Sequence, residues 1–431
     1  MKVKTEQLYE YLADEEDARV CKDIDEAACR EVPGNFFKLL GSQFLTKLGD
    51  ALSSPKIVLP WLFGGLGVPA FFTGLLVPLR ESGSLLPQLF IGGVIRRFAM
   101  RKWFFVAGCV LQALAVAGMA VAALTLQGAA AGWVFIALLA GFSLARGLCS
   151  VASKDVLGKT IPKTRRGRVG GYSTSLAGAI TIGVGIVLAL EARGSTGQYI
   201  ALLCLAAMCW VVAAFFYANV KEYPGATDGG GNAFKQAMQN LTLLIEDAPF
   251  RHFVLVRALM MSSGLAAPFF ILLARESDTS SGVASLGWFV ALGGLAGLVS
   301  GPFWGRFADT SSRRVMLGTS LVTALLCAAL ALLAYLKVSW LAEASLLLFM
   351  SLTLTHEGVR LGRKTYIVDL ASGNRRTDYV SVSNTVIGIL LLLVGLLAAG
   401  IASWSTTAAL ALFSASAAAA ALLGLTLPET T

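Results

Sequence analysis

Twelve times along this chain an apolar run of about 20 residues ends in a short polar or basic turn, a pattern that water-soluble folds do not accommodate. At ~1.5 Å per residue, such a run wound as an α-helix crosses a hydrocarbon layer about 30 Å thick. Residues 283–305, VASLGWFVALGGLAGLVSGPFWG, are representative. The runs lack the period-two alternation of a membrane β-barrel. Charged residues make up 14% of the chain, against ~25% in soluble domains. The reading is an all-α polytopic membrane protein with spans at 36–63, 68–94, 103–125, 131–155, 169–190, 198–218, 251–274, 283–305, 315–336, 340–362, 379–400 and 404–426.

A formal net charge of +9 could point to nucleic acid, but its placement excludes that partner. Twelve spans leave both termini on one face. The loops and helix ends of that face carry nineteen Lys and Arg, among them Arg96, Arg97, Lys159, Arg165, Arg166, Lys221 and Arg251. The other face carries three, Arg193, Arg275 and Lys337. By the positive-inside rule the basic face and both termini are cytoplasmic, and the membrane is the cytoplasmic (inner) one.

Residues 1–34 hold ten acids against five bases and no early apolar region, so they read as a solvated cytoplasmic segment and not a cleaved signal. None of the seven Cys falls in a loop of the outer face, so no disulfide is expected. No Cys or His spacing suggests a metal, and no cofactor is expected. Residues 219–250 form a cytoplasmic linker with a Gly run, followed by Phe234, Met238, Leu241 and Ile245 on one helical face, the pattern of a helix lying on the membrane surface.

The linker separates an N-terminal six-helix bundle, 35–218, from a C-terminal one, 251–427, and the two echo each other. Gly93 corresponds to Gly305, Gly147 to Gly358 and Gly178 to Gly388, at offsets of 212, 211 and 210. So small a drift indicates parallel repeats.

After the eighth run the chain turns through GRFADTSSRR, with Gly305, Asp309, Arg313 and Arg314. This turn resembles the loop motif of the major facilitator superfamily (MFS), with Ser311 and Ser312 in place of a frequent Gly. The first-half counterpart keeps Gly93, Arg101 and Lys102 but has Arg97 at the acidic position. With the span count and the repeat, the resemblance covers nearly the whole chain beyond residue 34. It implies two pseudo-symmetric bundles that rock about a central cavity lined by the first, fourth, seventh and tenth spans. Gly93, Arg101, Lys102, Gly305, Asp309, Arg313 and Arg314 are then a cytoplasmic gate, in which Asp309 pairs with a base or caps a facing helix. Gly293, Gly297, Gly301 and Gly305 recur every four residues, a smooth face suited to close packing against the other bundle.

Ionisable groups at membrane depth are costly and are functional candidates by default. Spacing alone finds them in stripes. Gln43, Lys47, Asp50 and Ser54 share one face of the first span, with Lys47 placed to neutralise Asp50 and with Pro55 and Pro60 loosening the helix. Arg80 and Glu81 are adjacent in the second span, so they point apart. Ser143, Arg146, Ser150 and Ser153 line the fourth span; Thr353, Glu357, Arg360 and Lys364 line the tenth, beside His356. Arg257 lies in the seventh span, and Glu357 answers Arg146 across the repeat. Away from the basic ends, Lys47, Lys56, Arg80, Arg146, Arg257 and Arg360 outnumber Asp50, Glu81 and Glu357 by six to three. An unpaired buried cation needs a counter-ion.

The expectation is a monomeric secondary transporter working by alternating access, moving a small organic anion or zwitterion with protons, and not an enzyme. Asp50 and Glu357 are the candidate proton sites and Arg146 the solute anchor. The rival is an efflux antiporter for amphipathic drugs or cations; the resemblance implies a Gly-Pro motif in the fifth span of such antiporters, and its absence here weighs against this reading. A lipid flippase and a non-transporting sensor are the remaining alternatives.

Overall fold

The computed structural model describes residues 26–190, 196–225, 227, 240–277, 285–308, 311–370 and 375–429, among which there is no β-strand. Numbered in chain order, span 1 is Val32–Leu52 continued by Val58–Gly65, and span 2 is Ala70–Leu85 continued by Gln88–Ile95. Spans 3 to 6 are Lys102–Thr125, Gly128–Thr160, Lys163–Leu190 and Thr196–Ala218. Span 7 comes in three pieces, Ala248–Leu259, Ser262–Leu265 and Ala267–Ser277. Spans 8 to 12 are Leu286–Ala308, Ser312–Tyr335, Leu341–Leu370, Arg375–Ala402 and Thr406–Gly424. Eight of these, spans 3–7, 9, 11 and 12, are each long and apolar enough to cross a membrane unaided. Spans 1, 2 and 10 are broken or laden with charge, and they contribute to the site together with residues of spans 4 and 7.

Local chemistry accounts for the breaks. Pro55 has no N–H to donate, and span 1 leaves the helix at Ser53 and resumes at Val58. Pro60 does not bend it, because it falls in the first turn of the new helix, where an N–H needs no partner. Pro87 likewise divides span 2. At Gly67, φ is +64°, the left-handed turn that sends span 1 into span 2.

The halves meet along two seams related by the repeat, span 5 on span 8 and span 11 on span 2. Both seams rely on small residues. A Cβ added at Gly185 would lie 2.4 Å from the Ala291 nitrogen, and one at Gly287 would lie 2.2 Å from that of Ala189. Gly74 faces Ala399, and Gly395 faces Pro78. The paired glycines Gly178 and Gly388 hold equivalent places, the first against Gly294 and Leu298, the second against Leu85 and Leu86. Arg275 Nη1 donates to the Trp61 carbonyl at 2.5 Å, tying span 7 to span 1 at the face away from the basic loops, here called the far face. Among the described residues, two hydrogen bonds join the halves, this one and Lys56 to His356, and both lie on the far side of Asp50. These bonds join the halves toward the far face, and the lining of the cavity between them runs from Lys56 to Lys364, which lies nearer the basic face.

Three expectations are revised, and a fourth lies partly outside the described residues. The closest contact of span 8 with the other half runs through Gly287, Ala291 and Gly294 against span 5; Gly293 also meets the other half, at Ile57 of span 1, whereas a Cβ at Gly297 would meet nothing within 4 Å. Cys29 is disulfide-bonded, while Cys109, Cys149, Cys204, Cys209 and Cys327 are free. The compartment argument that excluded a disulfide does not enter the geometry of two nearby thiols. Of the expected surface helix, Phe234 and Met238 lie outside the described residues; Leu241 packs on the C-terminal core and Ile245 is exposed. Among the described residues the helical part there is the 3-10 turn Asn240–Thr242 followed by the single turn Leu243–Glu246, and Asp247 then starts span 7 by accepting the Phe250 N–H at 3.0 Å. Lys47 does not neutralise Asp50, as the site shows.

Candidate functional site

Asp50 sits near the middle of span 1, where two guanidinium groups from other spans converge on it. Arg80 Nη2 lies 2.6 Å from one carboxylate oxygen and Arg146 Nη1 bonds the other. Arg80 is only 6% exposed and its guanidinium lies 5.2 Å from the centre of the Phe142 ring, so it is fixed by packing as well as by charge. Arg146 is the accessible partner. Lys47, one turn before Asp50, turns instead to span 5, donating to the Gly170 carbonyl at 2.9 Å, to Ser173 Oγ at 2.7 Å and to Thr174 Oγ1 at 2.5 Å. Two oriented Arg forks therefore displace a flexible ammonium from the carboxylate.

Two cavities share Arg146. The first, about 220 Å³, lies between the halves and is lined by Lys56, Glu81, Arg146, His356, Arg360 and Arg363, with Lys364 at its rim. The second, about 310 Å³, is lined by the N-terminal half alone, including Gln43, Lys47, Asp50, Gln112 and Ser150. The stripes of spans 1 and 4 thus face mainly the second cavity, and that of span 10 the first.

The break in span 1 positions Lys56, whose Nζ meets His356 Nε2 at 3.0 Å. The break in span 7 positions Ser263, whose Oγ is 2.9 Å from His356 Nδ1 and itself donates to the Met260 carbonyl. With Lys56 donating, the imidazole is neutral and carries its proton on Nδ1. Glu357 accepts from Arg360 Nη1 at 2.8 and 3.1 Å, so this pair closes within span 10 and does not reach Arg146 across the repeat. Glu81 lines the first cavity while Arg80 faces the bundle interior, the divergence expected of neighbours on a helix.

Arg257 does not join the site. It is 7% exposed within the C-terminal half and donates to Ser383 Oγ at 2.5 Å and Asn384 Oδ1 at 2.8 Å. Lys56 and Arg363 are lining residues that no stripe selected, Arg363 because it falls one position off the stripe that ends at Lys364.

At the basic face, Arg101 bonds Asp155, and its backbone N–H and that of Lys102 are accepted by Glu222 at 2.8–2.9 Å. Lys159 joins them, 2.8 Å from Asp155 and 3.2 Å from Glu222. The acids absent from the first-half loop motif are supplied from span 4 and from beyond span 6, and they cap the N-terminus of span 3 within one half. In the second half Arg313 approaches Glu429 at 3.4 Å, and the Arg314 N–H is capped by Ser311. Gly93 and Gly305 lie in the last turns of spans 2 and 8; Asp309 lies outside the described residues.

Comparison with known proteins agrees with this architecture. The sequence profile described as Major Facilitator Superfamily matches residues 39–356. The chain belongs to that superfamily. No curated protein sequence matches it. Among solved structures, the MFS chain resembles an inward-open xylose transporter, XylE from E. coli, with TM-score 0.66 and 14% identity over 91% of this chain and 96% of that one. It resembles the nucleoside transporter NupG with TM-score 0.72 and 11% identity over 91% and 99%. A POT family transporter in complex with a thioalcohol-conjugated peptide matches with TM-score 0.68 and 11% identity over 90% and 94%. At these identities the likeness is one of fold. Family and fold are those of a multi-pass secondary transporter.

Proposed function

We propose that this MFS chain moves a small organic anion or zwitterion by alternating access, coupled to protons, across a cytoplasmic membrane whose inner side is the basic face. The observation that carries the reading is the position of Arg146, which lines both cavities and is held by Asp50. A solute anion entering the first cavity competes with Asp50 for that guanidinium. When the solute wins, the carboxylate loses one of its two cations and takes up a proton more readily. Proton and solute then travel together, and the salt bridge re-forms after release. Glu357, held among the described residues by its own helix neighbour Arg360, is the second proton candidate.

The test is the unfolding temperature of the purified protein against anionic, zwitterionic, cationic and neutral solutes at two pH values, since a ligand of the native state raises it. Stabilisation by anions, lost in Arg146→Ala and made independent of pH in Asp50→Asn, is the expected result. Stabilisation by lipophilic cations alone, or an unchanged pH dependence in Asp50→Asn, overturns the reading.

A further inference from the structure

The first cavity carries more positive charge than one carboxylate can neutralise. Around it stand Lys56, Arg80, Arg146, Arg360, Arg363 and Lys364 against Asp50, Glu81 and Glu357, so 6 − 3 leaves an excess of three. The Lys56 amine donates to His356 whether or not it is charged, and without its charge the excess is still two. The internal pairs do not consume this surplus. Asp50 is shared by Arg80 and Arg146, Glu357 is taken by Arg360, and Arg363 and Lys364 form no hydrogen bond or ion pair with the described residues.

The surplus is spread along the cavity and not gathered at one point. From His356, which holds Lys56, to Lys364 is eight residues of one helix, about 12 Å of rise. Apart from Gly264, the rest of the wall is aliphatic, with Val77 and Leu85 from span 2, Met261 and Leu265 from span 7, and Ile387 and Leu391 from span 11. Among the described residues no Phe, Tyr or Trp lines it, so they offer no stacking platform for a sugar or a base. Its volume of about 220 Å³ corresponds to roughly seven water volumes at ~30 Å³ each.

We infer that the solute is an aliphatic dicarboxylate of about four or five carbons, one carboxylate held at the Lys56–Arg146 level, the other at Arg363 and Lys364, with the methylenes against the aliphatic wall. This rests on the organic-anion reading above and narrows it. A single compact dianion such as phosphate supplies the charge but not the two poles. A monocarboxylate leaves the Arg363 end unmatched.

The experiment measures the unfolding temperature of the purified full-length protein at neutral pH with succinate, glutarate, butyrate, γ-aminobutyrate, phosphate, putrescine and 1,4-butanediol at equal concentration. Succinate or glutarate is expected to stabilise well above butyrate. Lys364→Gln and, separately, Arg363→Lys are expected to weaken that binding about tenfold or more, while the exposed Arg96→Gln leaves it unchanged. Using Arg363→Lys, which keeps the charge but loses the planar fork, guards against a variant that fails to fold. Butyrate or γ-aminobutyrate matching succinate overturns the dicarboxylate assignment and leaves the organic-anion reading standing. Phosphate alone overturns the two-pole geometry. Putrescine or the diol alone overturns both, and no shift with either dicarboxylate overturns the inference.

Discussion

A single methyl group at Gly287 should tip the molecule out of the conformation in which the halves are joined toward the far face. The Cβ of Gly287→Ala would lie 2.2 Å from the Ala189 nitrogen and 2.5 Å from the Gly185 carbonyl oxygen, whereas ordinary contact begins near 3.4 Å. Spans 5 and 8 must therefore part by about 3.4 − 2.2 = 1.2 Å. Both obstacles are backbone, so no side-chain rotation relieves them. Overpacking of this kind costs about 1–3 kcal/mol, and it is borne only while spans 5 and 8 are in contact. A penalty confined to one of two states shifts their ratio about 5- to 150-fold. The assay is a distance measurement between spin labels on the far face, one at each of the exposed residues Gln127 and Lys337. Gly287→Ala should add a population at longer distance. Gly297→Ala, whose new methyl meets nothing within 4 Å, should leave the distribution unchanged. A lower melting temperature in Gly287→Ala with an unaltered distance distribution refutes the reasoning, because the seam would then be packing common to every state.

Other consequences follow from the charge network. Asp50→Asn strands Arg80, which is 6% exposed, and should destabilise the protein by about 3–5 kcal/mol, read in its melting temperature. Arg80→Gln added to Asp50→Asn should recover part of that loss. Glu222→Gln removes the charge that caps Arg101 and Lys102 and holds Lys159, and should cost about 1–3 kcal/mol in denaturant unfolding while leaving solute binding intact. Lys47→Met loses three hydrogen bonds to span 5, so stability should fall by about 1–3 kcal/mol. Because Lys47 does not touch Asp50, the pH dependence of solute binding should not move.

Much of the site was visible as spacing, and its pairings were not. Gln43, Lys47 and Asp50 do lie on one helical stripe, as do Glu357, Arg360 and Lys364, because helical periodicity is a local property. Which base answers Asp50 depends on where spans 2 and 4 cross span 1, and no local pattern encodes that crossing. Lys47, three residues away, was the nearest candidate in sequence and lost to Arg80 and Arg146, which are 30 and 96 residues distant. Arg257 shows the converse error: a charge in a cavity-lining span whose side chain is instead held by Ser383 and Asn384 within the C-terminal half.

The sequence by itself determined the helical class, the order of the spans, the repeat and the break at Pro55. Each follows from hydropathy over about 20 residues, from a residue offset or from a missing N–H. The tertiary structure alone decided which face of each helix looks inward. In water an apolar stripe marks the buried side, but in a bilayer lipid-facing and protein-facing residues are both apolar. Span 8 therefore presents two neighbouring faces of small residues, one through Gly293 and Gly297, the other through Gly287, Ala291 and Gly294. Only the backbone of span 5, lying against the second of them, distinguishes the two.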